Sequence, residues 1–457
     1  MEAENHGRRA ALIPTPAAAV ERVRAAGAEF VYLQFADILG GVKGVSIPVE
    51  RLEIALREGV WFDGSSVEGA ARVAESDLYL RPDPSSLALF PWEGPPAARF
   101  ICDLHLPGGD PFLGDPRQAL RQVLAEAEAV GLDFRVSCEF EFFLLDNQGL
   151  PTELAPGRLH PSDAESYYSI PTDRGARLCH EVTKALQASG ITVAATHHEV
   201  APGQHEIDLG ELPALRAADA IATLKIALRA YGRRENLLAT FMPKPLAELS
   251  GSGLHFAQTL LRAGDGANAL HDASQPYHLS ALGRSFIAGQ LAHARGMCAL
   301  LAPLVNSYKR LAGGGEAPAV IDWARINRGA LIRVPELGNA SGDGVFVELR
   351  TPDPSCNPYL ALAVMLRAGL EGVQGNLPLP NPVEEREDQS DDAAELEANP
   401  LPATLGEALD ELQWDPVVRD ALGQTIYERF LSAKEQEWAA FNRHISLWEI
   451  ENYLQRA

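Results

Sequence analysis

Between residues 30 and 48 the chain reads as two short apolar runs, Phe30-Val31-Tyr32-Leu33-Gln34-Phe35 and 42–48, joined by the turn formers of 37–41. That is the pattern of a strand pair. A helical stretch over 15–27, stopped by Gly27, precedes it, and the two together predict a small sheet domain reaching to about residue 110. Then the period changes. Asp115-Pro116 supplies an N-cap and a first-turn proline for a helix that Gly131 ends. A strand over 134–145, a helix over 174–189, a hairpin within 191–207, a long helix over 213–237 and a strand over 239–244 follow. Strands alternating with helices indicate an α/β arrangement, although the hairpin requires some antiparallel pairing. Residues 383–399 read as an acidic, mobile surface segment. A capping box at Thr404 to Glu407 and the helix start Asp415-Pro416 predict that the chain ends in helices.

The hairpin organises the candidate chemistry. In His197-His198-Glu199-Val200-Ala201-Pro202-Gly203-Gln204-His205-Glu206-Ile207, Pro202-Gly203 suits the two central positions of a tight turn. With that pair at the tip, Val200 faces His205 and Glu199 falls opposite Glu206. Two carboxylates roughly 5 Å apart repel unless something positive lies between them, and a divalent cation is the natural candidate. In the strand Cys138-Glu139-Phe140-Glu141-Phe142-Phe143-Leu144-Leu145, Glu139 and Glu141 share a face. Either pair alone reads as a solvated strand edge. Four acids on strand faces, without a lysine among them, suit a hard cation that takes oxygen ligands.

Composition narrows the class. With 457 residues, 46% hydrophobic and 22% charged, the chain is long enough for a large core. A net charge of −23 argues against nucleic acid or an anionic membrane as partner. Five scattered cysteines without a C-x-x-C fit reduced thiols. The reading is therefore a cytoplasmic protein without a signal peptide or membrane span.

Further polar stretches bear on the site. Asp63-Gly64-Ser65-Ser66 reads on its own as a loop. Ser250-Gly251-Ser252-Gly253 places a flexible turn just before His255, which is either a core histidine or a ligand. Arg310, Arg328, Arg333 and Arg350 either offset neighbouring acids or clamp phosphate and carboxylate. Gly313-Gly314-Gly315 before Glu316 makes a flap able to carry that carboxylate over a site.

These motifs, in this order, together with Phe241-Met242-Pro243-Lys244-Pro245 and the Asn306 to Tyr359 stretch, resemble the glutamine synthetase family from about residue 30 to the end. The resemblance implies an α+β fold. A small N-terminal β-grasp-like domain (1–110) would join a large catalytic domain (111–457) whose open, mainly antiparallel β-barrel is surrounded by helices. It implies a dodecamer of two stacked hexameric rings with active sites shared between neighbouring subunits. Carried over residue by residue, one metal site would be Glu141, Glu199 and Glu206, and the other Glu139, His255 and Glu348. Magnesium or manganese would occupy them, two or more per site. Arg310, with Gly251 and Ser66, would bind glutamate; Arg328, Arg333 and Arg350 would face the phosphates of ATP and the γ-carboxyl, with Thr259 near the nucleotide. Asp63 from a neighbouring subunit and Glu316 on the flap would bind and deprotonate ammonium.

The implied activity is ATP-dependent amidation of glutamate to glutamine. A γ-glutamyl ligase for a larger amine is the alternative, and a non-catalytic homologue the reading from another class. The chain departs from the usual pattern at Ser250, Ala257, Thr259 and Phe346, where asparagine, histidine, serine and arginine are common, and in its Gly-Gly-Gly-Glu flap. These changes bear on ATP affinity and flap closure more than on the metal ligands.

Overall fold

The computed structural model describes residues 15–65, 77–90, 96–146, 160–170, 172–312, 316–335, 344–384 and 399–456. Ser66, the flap glycines 313–315 and most of the acidic segment 383–399 lie outside the described residues.

The N-terminal part contains α1 (Pro16–Ala25), β1 (Phe30–Ala36), β2 (Val42–Pro48), α2 (Leu52–Glu58), β3 (Val60–Asp63), β4 (Asp77–Pro82), β5 (Ala88–Phe90) and β6 (Ala97–His105). Its sheet runs β2-β1-β6-β4-β3, with β5 on β6, and only β1 and β6 pair in parallel. Alternating residues of β1, Val31 and Leu33, meet Phe100, Leu80 and Leu52 in one buried cluster. Asp37 closes the β1–β2 turn by accepting from the backbone N–H groups of Leu39 and Gly41.

The larger part begins with α3 (Pro116–Ala129) and β7 (Leu132–Asp146), then α4 (Arg174–Ala188), β8 (Val193–His198), β9 (Gln204–Pro213), α5 (Ala214–Arg234), β10 (Leu237–Thr240) and β11 (Leu254–Arg262). It continues with α6 (Ala281–Ala292), α7 (Ala294–Leu301), α8 (Ser307–Leu311), β12 (Trp323–Ala324), β13 (Ile332–Arg333), β14 (Val347–Leu349), α9 (Pro358–Gly375), α10 (Leu405–Trp414), α11 (Pro416–Arg443) and α12 (Leu447–Tyr453). Its sheet is open, in the order β12-β13-β14-β11-β7-β9-β8 with β10 on β7. Every pairing except β12 with β13 is antiparallel. The fold is therefore α+β and not the α/β arrangement that alternation of elements indicated. The helices return the chain so that neighbouring strands run in opposite directions. The strand expected over 239–244 is shorter and earlier, since Pro243 and Pro245 cannot donate to a ladder.

β7 is the spine of the sheet. Phe134, Val136, Cys138, Phe140, Phe142 and Leu144 face the main core, while Glu139 and Glu141 lie on the opposite face. Beneath, α9 is buried along most of its length and crosses α6 closely. A methyl group on Gly289 or Gly372 would collide with the carbonyl of Ala368 or of Ser285. The capping box at Thr404 is partial: its side chain accepts from Glu407 N–H, but the Glu407 carboxylate takes the N–H of Ala403.

The two parts are joined through Arg117 on α3, which is buried. It holds Asp219 of α5 by two hydrogen bonds (3.1 and 3.0 Å), Asp83 at 2.8 Å and Asp103 at 2.5 Å, while Tyr359 donates to Asp219 at 2.8 Å. Although burial opposes it, the Arg117 guanidinium holds the Asp219 carboxyl below its usual range. Arg121 also reaches Asp83 and Asp103, so Arg117→Met chiefly leaves the buried Asp219 without its guanidinium partner and should lower stability by about 3–5 kcal/mol. Denaturant unfolding of the purified protein measures this.

Candidate active site

Register places the acids in one field across the sheet. Glu141 on β7 lies opposite Glu206 on β9, and Glu139 opposite Asp208. On the other side of β7, His255 of β11 faces Glu139. One strand further, Glu348 of β14 faces Ala257, two residues from His255 and on the same side. Five strands thus contribute to one face once His197 of β8, opposite Glu206, is included.

The hairpin register differs from the one expected. Gln204 N–H donates to Ala201 O at 2.9 Å and Gly203 has φ +70°, so the Pro202-Gly203 turn forms. However, Glu199 pairs with Gln204, its N–H donating to Gln204 O at 2.8 Å, and His197 falls opposite Glu206. The turn's twist does not match that of the strands, so residues 200–203 loop out before pairing begins. Glu199 and Glu206 are diagonal neighbours on one face. The ring between them in the protein chain itself is that of His197, whose Nε2 lies 3.0 Å from Glu199 Oε1 and 3.7 Å from Glu206 Oε1. Its hydrogen bond to Glu199 holds the His197 ring above its ordinary pKa.

Burial first, then the charge of Glu199 for Glu141 and of Glu141 for Glu206, raise both carboxyls above the usual range. Glu141 is fixed by Gln204 Nε2 (3.1 Å) and by the Gly253 N–H (2.9 Å). His255 is driven well below its ordinary pKa by burial and by Arg350, and so presents a neutral ring. A Cβ at Gly253 would stand 2.6 Å from both His255 Nε2 and Arg310 Nη2, which explains glycine there.

Among the described residues, ligand atoms come within 4.8 Å of one another in three groups: Glu139, His255 and Glu348; His197, Glu206 and Asp208; and Asp163, His198 and His205. The first is one of the two sets implied by the resemblance. Glu141, Glu199 and Glu206 share a face but do not form such a group; Glu206 meets His197 and Asp208 instead. Asp208 Oδ1 is buried with no hydrogen-bond partner.

Glu348 accepts from Arg350 Nη1 at 2.6 Å and from Arg333 Nη1 at 3.1 Å. The Nε groups of both arginines are buried and have no partner among the described residues. Arg310 donates to the carbonyls of Arg350, Thr351 and Pro352 and borders the cleft beside Gly251. Glu316 is exposed, 3.5 Å from Arg328 and 3.8 Å from Arg350. Thr259 lies farther along β11 on the His255 side. Asp63 ends β3 in the other sheet, exposed and, among the described residues, accepting from the Ser65 turn; it does not line the cleft that holds Glu141, Glu199, His255, Arg310 and Glu316. The residues that sequence reasoning missed are His197, Asp208, Gln204 and the Tyr167–Tyr168 pair, whose ring centroids lie 4.0 Å apart at a 31° tilt beside His197. Asp208 could have been found, since it is the next same-face position after Glu206.

The family model for the glutamine synthetase catalytic domain matches residues 113–453, and that for its β-grasp domain matches 27–107. The chain belongs to the glutamine synthetase family. Relatives include the glutamine synthetases of Halobacterium salinarum, 42% identical over 98% of each chain, and of Thermus thermophilus, 42% identical over 96% of this chain and 99% of that one. Among solved structures, a GmaS/ADP complex superposes with a TM-score of 0.84 at 30% identity, over 95% of this chain and 99% of that one. A Plasmodium falciparum glutamine synthetase gives 0.86 at 22%, over 96% and 98%, which bears on the fold alone.

Glutamine synthetases work with ATP and divalent cations. The donor set here fits a hard cation: carboxylate oxygens dominate, one buried carboxylate oxygen lacks a partner among the described residues, and burial with neighbouring acids raises Glu141 and Glu206, a cost a cation would relieve. Because Glu141 and Glu206 are raised, cation uptake near pH 7 should release protons, and apparent affinity should rise with pH from 6 to 8. Calorimetry of magnesium binding in two buffers of different ionisation heat measures the release. Glu206→Gln should diminish it, and identical heats in both buffers would contradict the linkage.

Proposed function

We propose that the chain makes glutamine from glutamate, ammonium and ATP. The observation that carries this reading is the acidic sheet face bounded by two guanidiniums, Arg333 and Arg350, whose buried Nε–H groups have no partner among the described residues. Such donors suit phosphate oxygens, and it is in phosphoryl transfer to a carboxylate that cations and arginines meet.

Glu139, His255 and Glu348 would hold one magnesium ion, with manganese as the alternative occupant, and Glu141, Glu199 and Glu206 another; bound there, the cations supply neutralisation of the phosphate charge. Arg310 and Gly251 would hold the α-carboxylate end of glutamate. The γ-carboxylate oxygen attacks the terminal phosphorus, the bond to ADP breaks, and Arg328, Arg333 and Arg350 stabilise charge on the transferred oxygens. Ammonia then attacks the acyl carbon, the C–O bond to phosphate breaks, and a carboxylate takes the proton released from nitrogen.

Glu316 fits that last role because it stands at the cleft between Arg328 and Arg350. Asp63 fits it only if another subunit brings it, since its own chain leaves it exposed and outside the cleft. A shared site in a ring, and the dodecamer of two hexameric rings, follow from the same reasoning. The exposed apolar side chains of the C-terminal segment, Trp448, Leu447 and Leu454 among them, support burial between subunits. Five buried, unpaired cysteines support a cytoplasmic setting. Among the described residues no helix is long and apolar enough to cross a membrane.

A second reading, transfer to a larger amine, draws on Tyr167 and Tyr168, which are 40% and 64% exposed beside His197 and offer an aromatic wall to methylene groups. Phosphate release from ATP and glutamate, compared across ammonium and a panel of alkylamines and diamines, separates the two. Ammonium should be preferred, and a chain that ignores it yet couples putrescine or methylamine establishes the second reading.

Two variants test the parts. Co-assembly of Asp63→Ala chains with Glu206→Gln chains, each inactive alone, should restore activity, because mixed rings contain sites with both acids intact. No recovery in verified mixed oligomers refutes the shared site. Phe346→Arg should lower the KM for ATP by roughly 10–100-fold, the equivalent of one charge-assisted hydrogen bond of about 1.5–3 kcal/mol. An unchanged KM would show that Phe346 does not limit nucleotide binding.

A further inference from the structure

His198 and His205 lie on the reverse side of the hairpin from Glu199 and Glu206, and they face Asp163. That aspartate belongs to a segment docked on β7, where Ser162 N–H donates to Leu144 O (3.0 Å) and Asp146 N–H to His160 O (2.9 Å). Asp163 Oδ1 accepts from the N–H groups of Gly203 (2.8 Å) and Glu165 (3.1 Å). All three side chains are at least nine-tenths buried: His198 is 0%, His205 2% and Asp163 6% exposed.

The hydrogen-bond accounting does not close. His198 Nδ1 lies 2.7 Å from Glu199 O, a carbonyl, so Nδ1 must carry the hydrogen. His198 Nε2 stands 3.1 Å from Asp163 Oδ1, a contact that needs either a second ring proton or a cation between them. His205 Nε2 is 3.6 Å from Asp163 Oδ2, beyond hydrogen-bond distance, and has no partner although it is buried. Two imidazole nitrogens therefore converge on one carboxylate, and that of His205 has no hydrogen-bond partner among the described residues. A positive charge is the missing element.

We propose that Asp163, His198 and His205 bind a zinc-class divalent cation, as a structural site separate from the acidic face. Two nitrogens and one carboxylate suit zinc, cobalt or nickel over magnesium, which takes oxygen ligands almost alone. In a tetrahedral site with bonds of about 2.0–2.1 Å, ligand atoms stand roughly 3.4 Å apart. The 3.1 Å from His198 Nε2 to Asp163 Oδ1 and the 3.6 Å from His205 Nε2 to the other oxygen, Oδ2, lie on either side of that separation. A ring that donates its other N–H to a backbone carbonyl is the usual arrangement for a ligating histidine. Gly175 adds room: a Cβ there would lie 2.6 Å from His205 Nε2, so glycine keeps space beside that nitrogen for a fourth ligand such as water. The bound ion ties residues 160–165 to the hairpin tip, and so fixes the two neighbours of the site, Glu199 and Glu206. It does not depend on the ligase reading.

Cobalt substitution in the full-length oligomer, in excess magnesium, tests this. Magnesium fills oxygen-rich sites, while a site with two imidazoles retains cobalt and shows the intense visible absorption of four-coordinate geometry. One cobalt per chain is expected. His205→Gln and Asp163→Asn should each weaken it by more than the roughly 10–100-fold typical of a lost outer partner, and Glu139→Gln, on the catalytic face, should leave it. Should the variants not fold, X-ray absorption of the wild-type cobalt protein must show imidazole scattering. Cobalt displaced by magnesium, absorption lost in Glu139→Gln but kept in His205→Gln, or a metal-independent imidazolium at His198 by NMR overturns the proposal and leaves a hydrogen-bonded brace.

Discussion

Mutual repulsion of carboxylates on one sheet face is the constraint around which the molecule is arranged. Glu141 opposes Glu206 and Glu139 opposes Asp208 in direct cross-strand register, and each such like-charge pair disfavours the sheet. What holds the register is the other face. Phe140, Phe142, Ile207 and Leu209 are fully buried there, and each contributes about 1.5–3 kcal/mol of burial. That exceeds the loss from like charges, about 0.2–1 kcal/mol per pair. A one-residue slip would bring the acids into the core, so apolar packing fixes the position of the charges.

The same economy joins the two parts of the chain. Arg117 and Arg99 are buried arginines at the junction, and both reach α5, Arg117 through Asp219 and Arg99 through Thr223. Asn357, at the start of α9, donates to the carbonyls of Asp37 and Ile38 in the β1–β2 turn. The close approach needs Gly40, where a Cβ would lie 3.0 Å from Asn357 Cα. The small sheet is therefore set against the catalytic helices by polar groups whose partners lie across the junction. With partners fixed in this way, the sheet carrying Asp63 has little freedom to swing toward its own cleft.

Local signals in the sequence were enough for much of this. The alternation in β7, the Asp-Pro helix starts at α3 and α11 and the glycine stops each depend on a few neighbouring residues, and they lie where local rules put them. Pairing partners do not depend on neighbours alone. The hairpin turn was legible from Pro202-Gly203, but the strand register was not, because the mismatch of twist at the turn is resolved by looping out 200–203. The Asp163 contacts with His198 and His205 were equally hidden, since a segment 35 residues away in sequence supplies the carboxylate. Antiparallel order was legible through the family resemblance and the hairpin but not through the alternation of elements, which does not record strand direction.

Three departures from the family pattern fall on one corner of the sheet. Ala257 is opposite Glu348, and continuing that register places Thr259 across from Phe346. The positions share a face and adjoin, so the changes alter one patch and not three. Replacing arginine by phenylalanine there removes a cation beside Glu348, and replacing histidine by alanine removes the polar group that would face the same carboxylate. Glu348 nevertheless keeps two guanidiniums, from Arg333 and Arg350. It therefore needs no third, and what the patch has lost is a donor directed outward, at a ligand. The polar groups that remain at this corner are the two arginines that Glu348 still anchors, each with a buried Nε that has no partner among the described residues.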